Sequence, residues 1–253
     1  MNNVRINREI WWACAVVFAV GVVGTVYFCH SMGGGMTMPG GWTMSMTWMR
    51  MSGQTWVASA TMFLLMWLVM MVAMMLPSAL PVLLDNGSPS GSSGNILPIL
   101  PVILATGGYF FVWLLIGLIV YVAGAVLAAE AMHSDAISRA EPVLAGLALV
   151  ISGCFQFTRW KMAGLRRCRC GLGGTQRGTG WRYGMKQGVS CAVCCSSLTT
   201  VLLVLGIMNP VVMLVVAVAI TMEKLLPKPE PIVWISGTGM VAMGAMTILK
   251  VAV

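Results

Sequence analysis

Two groups of sulfur side chains stand out along the sequence. The first is CAVCC, where Cys191, Cys194 and Cys195 recur at helical spacing (i, i+3, i+4) and fall on one helix face. Upstream, Cys168 and Cys170 form a C-x-C pair inside RRCRC, and Cys154 lies nearby in sequence. Thiols gathered in this way can bind a soft metal once deprotonated. A helix N-terminus at CAVCC, with Arg and Lys close by, would favour the thiolate. The alternatives are small packing residues or thiol redox chemistry at Cys191, Cys194 and Cys195.

The second group is MTMPGGWTMSMTWMRM, Met36 to Met51, preceded by Cys29, His30 and Met32. Three of its methionine pairs have M-x-M spacing, Met36/Met38, Met44/Met46 and Met49/Met51. In an extended chain alternate side chains point the same way, so each pair can present two thioethers to one ion. Thioether sulfur is neutral and soft and selects Cu(I). Zinc prefers thiolate, imidazole and carboxylate, while calcium and magnesium want oxygen. The segment holds no Asp or Glu. Trp42 and Trp48 could lie over a bound cation. The competing reading is an adaptable apolar interface, for which methionine and tryptophan are also suited.

The elements that must position these sulfurs are membrane helices. Of the 253 residues 58% are hydrophobic and 9% charged, against roughly a quarter charged in soluble domains. An all-α, polytopic transmembrane bundle follows, a single domain over residues 1–253. A span needs roughly 20 mostly apolar residues. Candidates are Trp11–Cys29, Trp56–Leu76, Val102–Ala129, Pro142–Phe157, Val189–Ile207, Pro210–Met222 and Ile232–Val251, about seven in all, with six an alternative. The first run is long for a cleaved leader and no A-x-A site follows it, so it reads as a retained helix. Met208, Asn209 and Pro210 point to a hairpin between the fifth and sixth spans. Pro77 and Pro81 are expected to break the second.

Arg159, Lys161, Arg166, Arg167, Arg169, Arg177, Arg182 and Lys186 fall between residues 158 and 188 with no carboxylate. That stretch is expected to be a cytoplasmic loop by the positive-inside rule. The N-terminus is then cytoplasmic, the methionine loop (30–55) lies outside, and the location is a bacterial inner membrane. The net charge of +8 reflects this bias rather than nucleic-acid binding. On the second helix Met62, Met66, Met70 and Met74, with Met71 and Met75, form a stripe that is either core or a thioether track. Met240, Met243 and Met246 read as core. Glu223 and Lys224 read as an interfacial anchor. His133 lies in an expected outer loop, Glu130–Glu141, and could approach His30.

Several motifs then meet in one order: AMMLPSALP (Ala73–Pro81), GCFQFTRWKMAGLRRCR (Gly153–Arg169), GVSCAVCC (Gly188–Cys195), GIMNP (Gly206–Pro210) and EKLLP (Glu223–Pro227). Over about two thirds of its length the chain resembles a family of bacterial predicted metal-binding integral membrane proteins, some described as copper chaperones of polyphenol oxidases. It departs from the family pattern at Phe155, where Tyr is usual, at Arg159 (Pro), at Gly164 (Cys) and at Ser196 (Trp). The methionine-rich loop has no counterpart in that pattern. The resemblance implies copper handling.

No P-loop, phosphorylation motif, haem motif or dinucleotide turn is present. Two histidines in total argue against a histidine-rich catalytic centre. The expectation is a non-enzymatic Cu(I) carrier. Its metal ligands are drawn from Cys29, His30, Met36, Met38, Met44, Met46, Met49, Met51, Cys168, Cys170, Cys191, Cys194 and Cys195. Its partners are the lipid bilayer and a membrane or periplasmic cuproenzyme. The alternative is an accessory subunit of a larger membrane complex, such as a copper-dependent monooxygenase or oxidase.

Overall fold

The computed structural model describes residues 2–32, 35–37, 43–45, 48, 55–86, 99–170, 180–226 and 229–252. Its helices are α1 (Asn2–Met32), α2 (Trp56–Asn86), α3 (Ile99–His133), α4 (Asp135–Gln156), α5 (Arg159–Cys170), α6 (Gly180–Leu205), α7 (Pro210–Leu225) and α8 (Glu230–Ala252). Between α1 and α2 lies a short antiparallel hairpin, β1 (Gly35–Thr37) and β2 (Thr43–Ser45). The all-helical bundle expected from composition is present.

About seven spans is a loose figure. Among the described residues four helical segments are long and apolar enough to cross a membrane: Trp56–Leu76, Val102–His133, Gly180–Leu205 and Glu230–Lys250. A fifth is counted if α4 and α5, bent by 70° at their junction, form one broken span. Ala15–Ser31 is apolar but shorter. α7 has 16 residues, about 24 Å at 1.5 Å per residue, less than the roughly 30 Å hydrocarbon core.

Local chemistry explains where the helices stop. Gly206 adopts φ +107° and ends α6, a left-handed conformation that glycine adopts without a Cβ penalty. Asn209 then caps α7, its side-chain oxygen accepting from the amides of Val211 and Val212 at 3.0 and 3.3 Å. Pro210 takes the first helical turn, where its missing N–H costs nothing. The expected break between two helices is therefore real.

Three other expectations change. Pro77 and Pro81 do not end α2, which runs on to Asn86. Ser78, between the two prolines, donates its Oγ to the Met75 carbonyl at 3.0 Å. The Glu130–Glu141 stretch is helical apart from Ser134. Residues 158–188 are mostly helix rather than loop, because α5 is amphipathic. Lys161, Leu165 and Cys168 (i, i+4, i+7) are buried, while Arg159, Arg166 and Arg167 are exposed. Thr158 caps α5 by accepting from the Lys161 amide at 3.4 Å.

Helices approach most closely where glycines face each other. In the α4–α8 pair a Cβ on Gly146 would lie 2.9 Å from the Gly244 carbonyl oxygen, and one on Gly153 2.9 Å from that of Gly237. Both helices carry these glycines seven residues apart, a small-residue seam that lets backbones touch. In the α3–α6 pair Gly184 sits directly on the Ala105 carbonyl, and a Cβ on Gly188 would lie 3.0 Å from the Tyr109 carbonyl oxygen. Gly184→Ala must push α3 from α6, and we expect a loss of about 1–3 kcal/mol, read as a lower unfolding temperature in detergent. Gly239 has nothing within 4 Å of its Cβ position. Gly239→Ala is expected to leave that temperature unchanged or raise it slightly.

Candidate metal centre

α6 supplies most of the sulfur. Cys191, Cys194 and Cys195 are all buried on its inward face. Cys194 Sγ lies 3.5 Å from Cys195 Sγ, and Cys191 Sγ lies 3.9 Å from Cys195 Sγ. α5 folds back against this face and brings in Cys168. The sulfurs of Cys168, Cys191 and Cys194 lie within 4.8 Å of one another, and all three residues are buried. Ligands of one ion at metal–sulfur distances of roughly 2.3 Å lie roughly 3.8 Å (tetrahedral) to 4.6 Å (linear) apart. The thiols therefore need little movement to share an ion.

The rest of the cage comes from three other helices. Met75 Sδ of α2 is 3.9 Å from Cys191 Sγ. Tyr109 of α3 donates its hydroxyl to Cys191 Sγ at 3.0 Å. Lys224 of α7 donates to the same sulfur at 3.0 Å and to Ser78 Oγ at 3.2 Å. Two donors converge on one sulfur, an arrangement suited to an anionic acceptor. The expected role of a helix N-terminus is not found, since α6 begins at Gly180 and Cys191 lies about three turns inside it. Lys224 is the cation at this sulfur instead.

A second polar system braces the site. Lys161 and Glu223 form an ion pair at 2.8 Å with 0% and 2% side-chain exposure. Lys161 Nζ also donates to the Cys194 carbonyl. Glu223 accepts from Gln156 Nε2 at 2.9 Å and from Ser236 Oγ at 3.2 Å. Gln156 Oε1 in turn accepts from Ser197 Oγ at 2.9 Å. Gln187 Nε2 donates to the Cys168 carbonyl at 3.0 Å, tying the end of α5 to α6. The interfacial-anchor reading of Glu223 and Lys224 is thus overturned: neither reaches solvent, because each has buried partners on other helices.

The expected ligands divide into separate places. Cys168, Cys191, Cys194 and Cys195 come together. Cys154 is exposed and apart from them. Cys170 ends α5, and its side chain lies outside the described residues. Cys29 Sγ of α1 lies 3.8 Å from Met213 Sδ of α7. His30 is exposed, and among the described residues it belongs to no cluster of three ligating groups. His133 is also exposed and bonds the Ala129 carbonyl at 2.7 Å.

In the hairpin Met36 of β1 stands opposite Met44 of β2. Met38, Met46, Met49 and Met51 lie outside the described residues. Trp48 meets Phe63 in a tilted ring contact at 5.3 Å and packs on Gly124, so its ring serves packing. Along α2, Met66, Met70, Met71, Met74 and Met75 are buried, while Met62 is 45% exposed.

Sequence reasoning missed Lys161, Tyr109 and the true role of Lys224. The available signal was the presence of Lys161, Glu223 and Lys224 among apolar helices, since ionisable groups at such depths usually pair or act. Removing one partner of the buried pair leaves an uncompensated charge. Glu223→Leu is expected to cost about 3–5 kcal/mol. The double variant Lys161→Met with Glu223→Leu should recover much of that loss in the same thermal unfolding measurement.

Comparison with known proteins gives one match. A family model described as PpoB2, copper chaperone, matches residues 64–247. That range contains every residue of the cage and its brace. No curated protein and no solved structure matches the chain.

Proposed function

The chain belongs to the PpoB2 copper chaperone family, and from that premise we propose that it is a membrane-embedded carrier holding Cu(I) at Cys168, Cys191, Cys194 and Cys195 for delivery to a cuproenzyme. The observation that carries this reading is the buried cluster of Cys168, Cys191 and Cys194 drawn from two helices, with sulfurs within 4.8 Å of one another and with Cys195 Sγ 3.5 Å from Cys194 Sγ and 3.9 Å from Cys191 Sγ. Copper is the cargo. It enters and leaves as Cu(I) without change of oxidation state, and two of the four thiols give up their protons on binding, enough to balance Cu(I) and the neighbouring Lys224 ammonium, while the other two ligate as thiols. Burial excludes water and oxygen from an ion that would otherwise oxidise or disproportionate.

Cys168 differs from the other ligands in its support. Cys191, Cys194 and Cys195 ride on a helix packed tightly against α3, whereas Cys168 sits near the end of α5, beyond a 70° bend. Release to an acceptor is therefore assigned to displacement of the last turn of α5, beyond the Lys161 hold and at the cost of the Gln187 hydrogen bond, which lowers the number of thiols on the ion while three remain in place. We propose that this release occurs at the cytoplasmic face of a bacterial inner membrane, a reading that the exposed basic residues of α5 support through the positive-inside rule. Met36 and Met44 stand in register, and with the remaining methionines of that segment they are proposed to collect Cu(I) at the opposite face. The buried methionines of α2 lead from there to Met75, which contacts Cys191.

Serine replacement of Cys191 and Cys194 together is expected to abolish stoichiometric Cu(I) binding by the detergent-purified protein, measured anaerobically against a chromophoric Cu(I) chelator. Unchanged stoichiometry overturns the site. Leucine replacement of Met44, Met46, Met49 and Met51 is expected to leave that binding intact while slowing copper loading in cells, measured as metal content over time. Mild purification from the native membrane is expected to yield copper in near-stoichiometric amount. A metal-free protein in a constant multi-chain complex would instead establish the accessory-subunit reading.

A further inference from the structure

Four thiols in one cage ordinarily make a zinc site. Something must bias this cage toward a monovalent ion if it serves copper. We propose that Lys224 is a built-in cation that sets the charge class of the ion accepted at the thiols, admitting Cu(I) and rejecting divalent ions such as Zn(II) and Cd(II). The inference rests on the reading of these thiols as a metal site.

The geometry shows an ammonium fully engaged with the cage. Lys224 is 6% exposed. Its Nζ contacts Cys191 Sγ at 3.0 Å, Ser78 Oγ at 3.2 Å and Met75 Sδ at 3.7 Å. Ser78 spends its own proton on the Met75 carbonyl, so it meets Lys224 with a lone pair. The Met75 thioether has no proton to give. Three acceptors thus face the three N–H groups of an ammonium. Among the described residues Lys224 has no carboxylate partner, because neighbouring Glu223 is held by Lys161. Its charge must be balanced by sulfur.

That requirement discriminates between ions. Lys224 and Cu(I) together carry two positive charges and balance two thiolates. Lys224 and a divalent ion carry three, so a divalent ion must take a further proton from the cage in a dry site. The repulsion between Nζ and an ion bound to Cys191 is also twice as large for a divalent ion at equal distance. Met75 acts in the same direction, because a thioether offers soft sulfur without the negative charge that a divalent ion needs.

The test compares full-length wild type, Lys224→Met and Lys224→Arg in detergent, under anaerobic reducing conditions. Cu(I) affinity is read by chelator competition, and Cd(II) by equilibrium dialysis and thiolate-to-metal ultraviolet absorbance. Wild type is expected to bind Cu(I) and remain free of Cd(II) under conditions that saturate an ordinary four-cysteine site. Lys224→Met should raise the ratio of Cd(II) to Cu(I) affinity on the order of tenfold or more, and Lys224→Arg should keep the wild-type ratio. An unmoved ratio in Lys224→Met, with Cu(I) still bound, overturns the inference and leaves the thiol site standing. Cd(II)–thiolate absorbance in wild type overturns it even if Lys224→Met fails to fold. Absence of Cu(I) binding in wild type removes the site and the inference together.

Discussion

The ion pair between Lys161 and Glu223 is the constraint on which the rest of the centre depends. Both groups are out of water, and each charge is tolerable only because the other is 2.8 Å away. Lys161 lies on α5 and Glu223 on α7. The pair therefore fixes the two helices at one relative position, and Lys161 extends the hold to the α6 backbone at Cys194. Gln156 and Ser236 saturate the carboxylate from α4 and α8. One buried carboxylate thus joins five helices. The cost of moving any of them is the cost of leaving a charge or an amide unpaired in an apolar interior.

α7 divides two tasks between consecutive residues. Glu223 turns to the brace and Lys224 turns to the thiols. Adjacent residues on a helix are about 100° apart around its axis, so two neighbouring side chains can serve two separate buried systems. This separation keeps the only described carboxylate of the region away from the sulfur cage. A carboxylate beside Lys224 would neutralise it and would add a hard oxygen ligand. The cage instead contains sulfur, two hydroxyls and one ammonium.

Close approach of the backbones makes this arrangement possible. In lipid there is little hydrophobic gain from pairing apolar helices, so contact has to come from packing and from polar bonds. The glycines of α4 and α8, and those of α6 against α3, remove side chains where carbonyls would otherwise collide. Tyr109 reaches Cys191 across that α3–α6 contact. The fold and the site therefore share residues: the glycine that lets α3 in is one turn from the cysteine that α3 serves.

The apolar composition and the positive bias between residues 158 and 188 were enough to identify a helical membrane bundle, because lipid burial and helix length act on every residue of a span. The spacing of Cys191, Cys194 and Cys195 was likewise legible, since helical periodicity is local. So was the break at Asn209–Pro210, which rests on capping chemistry within a few residues. The number of spans was only loosely legible, because the 16-residue α7 falls short of a full span and the 70° bend between α4 and α5 is set by packing. Cys168 was a candidate by residue type, but its meeting with Cys191 and Cys194 was not legible: RRCRC reads as a basic loop until α5 folds its Lys161–Leu165–Cys168 face onto α6. Lys224 was misread for the same reason. A lysine at the end of an apolar run snorkels to water by default, and it stays inside only when other helices bring it acceptors. Those acceptors, Cys191, Ser78 and Met75, lie 33 to 149 residues away in the chain. Sequence by itself determined which sulfurs exist and which local faces they occupy. The tertiary structure alone decided which of them meet, and which charge stands beside them, because that depends on long-range packing that no local pattern encodes.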